Sequence, residues 1–191
     1  AQEAGWDVLT FDFRGTGHSP GDFSLSGWLA DIRSVVDHLT GLGSDGVWLA
    51  GFDAGGSLAL CAAGEDERVR GVAAFAAPAD FEGWARDPEA FLGHCRKVGA
   101  VTTPGFPEWF DDWARELREI RPLALVGKVP PRPLLLVHGA DDEDVSLMDA
   151  RALVDAADGQ AELRVLSGAG HRLRHDPRAV AVLLGWLERQ E

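Results

Sequence analysis

Tyrosine is missing from this 191-residue chain altogether, so any chemistry that needs a phenolic proton donor is excluded. Cysteine is reduced to Cys61 and Cys95, with no CxxC pair and no Cys/His spacing that would hold a metal. Two buried-type thiols without a framework read as reduced structural cysteines of a cytoplasmic protein. Basic runs are also missing. Lysine occurs only as Lys97 and Lys128, the net charge is −13, and no cluster of arginines is long enough to reverse that field. A surface of that sign repels phosphate backbones, which excludes nucleic acid as a partner. No apolar run approaches the ~20 residues that a membrane span requires. The expected partner is therefore a small-molecule substrate or ligand, and the composition says nothing of oligomeric state.

What is present is an ordinary globular balance, 46% apolar and 26% charged, enough for one domain with a full core over residues 1–191. The stretch Val47-Trp48-Leu49-Ala50-Gly51-Phe52-Asp53-Ala54-Gly55-Gly56-Ser57 organises the rest. An apolar run ends in Gly51, a polar residue follows two positions on, and Gly55-Gly56 opens an Ala/Leu-rich segment. That pattern predicts a strand, a sharp turn and a helix, with Asp53 thrust out at the apex beside the helix N-terminus.

The remaining pattern alternates strand and helix. Strands are predicted at 6–11, 46–50, 69–75, 134–137 and 162–166, the first leading into the Gly/Pro-rich loop at 12–21. Helical spacing joins Trp28, Ile32, Val35, Val36 and Leu39, and further helices are expected at about 54–63, 87–98, 107–120 and 147–157, with another after Asp176-Pro177. Ser146 with Asp149 has the form of a capping box. Asp12 and Arg14 are expected to pair and hold their loop, and Ser57 to point along its helix. Residues 79–131, rich in Trp and Phe and broken by proline, read as a short helical lid whose Trp84, Trp109 and Trp113, with Phe52, would line a pocket. Strands alternating with helices imply a mostly parallel sheet covered on both faces. In such a sheet Asp53, Asp142 and His171 all stand at C-terminal strand ends, on the edge where ligands bind.

With those residues in that order, the chain resembles the α/β-hydrolase superfamily, in its serine-aminopeptidase or lysophospholipase-like branch. Asp12-x-Arg14-Gly15-x-Gly17-x-Ser19 resembles the loop after that fold's fourth strand. His138-Gly139-x-x-Asp142 resembles its acid motif, and Gly168-x-Gly170-His171 its histidine motif. The resemblance implies a catalytic triad of Asp53, His171 and Asp142, with the Ala54 N–H as an oxyanion donor and no metal or cofactor. It also implies three strands ahead of residue 6, so that an N-terminal portion, and with it any signal peptide, is expected to be missing from this chain. Residues 1–4 read as the tail of a helix.

One departure governs the chemistry: the apex is Asp53, where that family carries serine. A carboxylate attacking an ester carbonyl forms an anhydride that reverts, whereas attack on saturated carbon expels a leaving group and leaves a hydrolysable ester. Relatives that open epoxides use lid tyrosines, which this chain lacks. Three readings follow: an Asp-nucleophile hydrolase for a small apolar molecule, a catalytically silent relative that binds a ligand, or an esterase or peptidase whose serine has become Asp53. With two carboxylates flanking it, His171 is expected to hold its proton more tightly than a free imidazole.

Overall fold

The computed structural model describes residues 5–190. The helix tail read at residues 1–4 lies outside the described residues. Helix α1 (Leu25–Gly41) starts where the Ser24 side chain accepts the Gly27 N–H and buries Leu25, Leu29, Ile32 and Val36 on a 3.6-residue stripe. Of the residues read from the sequence, Ile32 and Val36 are buried on it, while Trp28, Val35 and Leu39 flank it half-buried. Strand β1 (Val47–Phe52) runs through Asp53 into helix α2 (Ala54–Glu65), and strand β2 (Val69–Phe75) follows. Between β2 and strand β3 (Leu134–Gly139) lie four helices: α3 (Glu82–Ala85), α4 (Pro88–Lys97), α5 (Phe110–Glu119) and α6 (Pro122–Leu125). Helix α7 (Leu147–Ala156), strand β4 (Glu162–Leu166) and helix α8 (Pro177–Glu188) complete the order.

The four strands form one parallel sheet in the order β1-β2-β3-β4. The period-2 alternation of strand side chains divides the core in two. Val72, Ala74, Leu134 and Leu136 face α1, α2 and the inserted helices, while Ala73, Phe75, Leu135 and Val137 face α8 through Ala179, Trp186 and Leu187. With both faces covered, the central strands need apolar residues at nearly every position, and this explains the hydrophobic runs Val72–Phe75 in β2 and Leu134–Val137 in β3.

Residues 6–11 do not form the predicted strand. Their apolar character is right for one, but β1 is an edge of the described sheet and no ladder reaches this segment. Side chains hold it instead: Trp6 meets Trp48 edge-on at 5.7 Å, and beyond it Phe13 stacks on Trp28 at 4.7 Å. Val8, Leu9 and Phe11 remain exposed.

The inserted segment also packs differently from a loose cover. Phe23 is ringed edge-on by Trp28, Trp84, Phe91 and Trp113, and the Trp113 indole N–H donates to the Phe23 carbonyl at 3.1 Å. Trp113 and Leu117 thereby join the main core. An aromatic cluster of that size contributes far more through burial than a solvent-facing flap could.

Candidate active site

The elbow is built by close backbone approach. A Cβ on Gly51 would stand 2.4 Å from the Gly55 carbonyl oxygen, so only glycine lets strand end and helix start touch. Asp53 takes φ 52°, ψ −133°, a conformation that L side chains rarely adopt. It is over-determined from both sides. The Asp53 N–H donates to the Phe75 carbonyl at 2.8 Å, and its own carbonyl accepts the N–H groups of Gly56 and Ser57. The N–H groups of Ala54 and Gly55, at the start of α2, have no acceptor within the helix. Ser57 is buried along the helix as expected and donates to the Pro78 carbonyl at 2.6 Å, tying α2 to the loop after β2.

The turns after β3 and β4 bring the other two groups to the apex. Asp142, its side chain fully buried, accepts the Asp144 and Val145 N–H groups on Oδ1. Its Oδ2 lies 3.0 Å from His171 Nδ1. On the far side of the ring, His171 Nε2 lies 3.6 Å from Asp53 Oδ2. Because Nδ1 faces a carboxylate, it carries the N–H, and a neutral ring presents the lone pair of Nε2 to Asp53. Burial lowers the His171 pKa, but the hydrogen bond it donates to Asp142 and the charges of Asp142, Asp53 and Asp144 outweigh it, so the net shift is upward.

A second histidine supports the acid. His138, 1% exposed, donates its Nε2–H to the Val145 carbonyl at 2.9 Å and lies 3.5 Å from Asp142 Oδ2. It closes the turn that holds Asp142, a role its place in the motif did not disclose. Asp142, Asp144 and His171 offer ligand atoms within 4.8 Å of one another. Those of Asp142 are already engaged, Oδ2 by His171 and Oδ1 by two amides.

Asp53 and His171 open into a cleft of about 650 Å³ walled by Pro78, Phe81 and Trp84 on one side and Asp144, Val145 and Asp149 on the other. Of the four aromatic residues expected there, only Trp84 lines it. Trp113 is in the core, Trp109 is exposed on the surface, and Phe52 stacks on Phe75 at 4.7 Å on the outer side of the elbow. The expected Asp12–Arg14 pair is replaced by an Arg14–Asp31 bond from loop to α1, Arg14 Nη2 lying 2.6 Å from Asp31. Asp12 accepts the His18 N–H instead. The capping box at α7 is half made. Ser146 Oγ accepts the Met148 N–H, but the Asp149 carboxylate turns away to accept the Ala79 N–H at 3.0 Å, joining α7 to the cleft wall. Cys61 and Cys95 are no rival nucleophiles, since burial pushes their thiols up to about 12 and about 11.

Known proteins bear on this geometry. The model of the alpha/beta hydrolase family matches residues 1–183. The chain belongs to that family. No curated protein matches it. Among solved structures it is similar to the monoacylglycerol lipase of Paleococcus ferrophilus (18% identity, 99% of this chain and 86% of that one, TM-score 0.73). It is also similar to the α/β hydrolase GrgF of Penicillium sp. sh18 (20% identity, 93% and 78%, TM-score 0.71). An esterase domain from Rhodothermus marinus shares 28% identity over 89% of this chain and 72% of its own, with TM-score 0.60. An α/β-hydrolase sheet with an acidic apex is thus the frame in which the chemistry must be read.

Proposed function

We propose that this α/β hydrolase cleaves a small molecule at saturated carbon, with Asp53 as nucleophile, His171 as base and Asp142 as the group that orients it. The observation that carries this reading is the approach of His171 Nε2 to the Asp53 carboxylate at 3.6 Å, with Asp142 fixed on the opposite ring nitrogen. An Asp53 oxygen attacks carbon, the C–X bond breaks, and X departs with the electron pair as an anion. Trp84, the tryptophan on the cleft wall, is the candidate donor to that anion. The product is an ester on Asp53. Water then attacks its carbonyl carbon while His171 Nε2 takes the proton and the Ala54 N–H receives the developing oxyanion. As the C–O bond breaks, His171 passes that proton to the departing alkoxide, which leaves as an alcohol, and Asp53 is regenerated.

Electrostatics makes the two halves consistent. While Asp53 is charged it helps keep His171 protonated, and a protonated ring is no base. Alkylation removes that charge, which adds to the hydrogen bond and charge of Asp142 in raising the His171 pKa. The ring is therefore a better base once the ester exists. The carboxylates of Asp53, Asp80, Asp144 and Asp149 outnumber Arg86, the one arginine lining the cleft, which argues against an anionic substrate, and Phe81 and Trp84 favour an apolar one.

The test is mass spectrometry of the His171→Gln variant after incubation with short 1-haloalkanes. An alkyl adduct on Asp53 is the expected result; an unmodified Asp53 refutes the mechanism. The esterase domain at 28% identity favours one second reading, in which Asp53 stands where an ester hydrolase needs a hydroxyl. That reading expects Asp53→Ser to gain hydrolysis of p-nitrophenyl esters.

A further inference from the structure

Three arginines converge on a second cavity, of about 360 Å³, behind the wall of the cleft. It is lined by Arg86, Arg118 and Arg121 over a floor of Phe81, Ala85 and Leu117. Each arginine stands at or beside the end of an element. Arg86 follows α3, Arg118 lies in the last turn of α5, and Arg121 precedes α6. Arg118 Nη2 donates to the Ala85 carbonyl at 3.1 Å, which fastens the end of α5 to that of α3.

Seven of the sixteen arginines, Arg14, Arg33, Arg68, Arg115, Arg164, Arg178 and Arg189, make ion pairs with carboxylates. None of the three at the cavity does so among the described residues. Two acids, Asp80 and Glu82, also line the cavity, leaving it one positive charge in excess. Asp80 is committed to the start of α3, where its Oδ1 accepts the Glu82 N–H at 2.9 Å.

From this we infer a binding site for a small oxyanion ligand, a phosphate or carboxylate carried on an apolar body. Guanidinium groups present planar pairs of donors that match the oxygens of such anions, and the floor of Phe81, Ala85 and Leu117 receives the apolar part. The cavity is of small-molecule size. A chain of net charge −13 is repelled by an anionic lipid surface, so the ligand is a free molecule rather than a headgroup in a membrane. Its seat adjoins the cleft, because Phe81, Asp80 and Arg86 line both.

Titration calorimetry with phenyl phosphate and with inorganic phosphate, in buffer of low ionic strength, tests the site. Saturable one-to-one binding is expected, tighter for phenyl phosphate, and weakened at least tenfold in Arg118→Gln with Arg121→Gln. Both residues are exposed, and an unchanged melting temperature verifies that the fold survives loss of the bond from Arg118 to the Ala85 carbonyl. The same binding should survive in Arg178→Gln, whose guanidinium is held by Asp176, and in Asp53→Asn. Absence of saturable binding, or equal loss in Arg178→Gln, overturns the site. Loss in Asp53→Asn alone also overturns it, by placing the anion in the cleft. None of these outcomes depends on turnover, so the site stands or falls apart from the hydrolase reading.

Discussion

Asp53 holds a conformation that disfavours every residue but glycine, and it does so beside a histidine held between two carboxylates. Strain of this kind stores about 1–3 kcal/mol and persists where the surroundings over-determine it. Replacing Asp53 by glycine should relieve it, less the extra freedom glycine brings to the unfolded chain. The variant is expected to be about 1 kcal/mol more stable by urea denaturation. A loss of stability would mean that the side chain's attraction to His171 exceeds the strain. The charge of Asp53 is separable through Asp53→Asn, which keeps the shape. Burial lowers the His171 pKa while Asp142, Asp53 and Asp144 raise it further, so removing one carboxylate must move it downward. Imidazole resonances followed by NMR should titrate at lower pH in the variant than in the parent. The stability linkage has a definite sign: with the folded pKa raised, the stabilisation is full below the unfolded value of ~6.5 and fades as pH rises through the folded one. Asp53→Asn should therefore narrow the stability difference between pH 6 and pH 9; an unchanged titration would deny the contact.

At the level of elements, the elbow rests on one contact, the Gly51 backbone against that of Gly55. A methyl at Gly51 meets backbone atoms of Gly55 and Gly56 that cannot yield without moving strand from helix. Gly51→Ala is expected to lower stability by about 1–3 kcal/mol, as overpacking does. A Cβ on Gly55 meets only the edge of Phe13 at 3.6 Å, an ordinary contact, so Gly55→Ala should fold normally and keep its melting temperature within a few degrees. Thermal unfolding of the pair separates a packing requirement from a mere motif. The same contrast explains what was legible in the sequence. The elbow, α1, β2 and β3 are written in local spacing, and the order Asp53, Asp142, His171 locates the strand ends that meet. Residues 6–11 have the composition of a strand, but a strand needs a ladder partner, and none of the described strands reaches them. Trp113 and Trp84 look alike in sequence. Both pack edge-on against Phe23, but Trp113 is buried with its indole N–H on the Phe23 carbonyl, ninety residues earlier, while Trp84 stands on the cleft wall. The Asp149 carboxylate was likewise drawn from its own helix start by an N–H seventy residues away.

Over the whole molecule, thirty-one acids face eighteen lysines and arginines, and that imbalance acts on stability as well as on ligands. Local pairs soften it: Arg68 reaches both Asp37 and Asp66, and Arg178 closes on Asp176. Such exposed pairs contribute little, typically 0–1 kcal/mol each, and weaken in salt. The net repulsion weakens in salt too, as the screening length falls from ~30 Å at 0.01 M to ~8 Å at 0.15 M. The two effects oppose each other, and their ranges decide which wins. Ion pairs act at about 3 Å, well inside either screening length, whereas repulsion among thirteen excess charges is summed over the whole surface. Added sodium chloride should therefore raise the melting temperature over that range, most steeply at the lowest concentrations, with potassium chloride acting equally. A melting temperature that falls with salt would show that the paired arginines, and not the excess of acids, dominate the electrostatics of this fold.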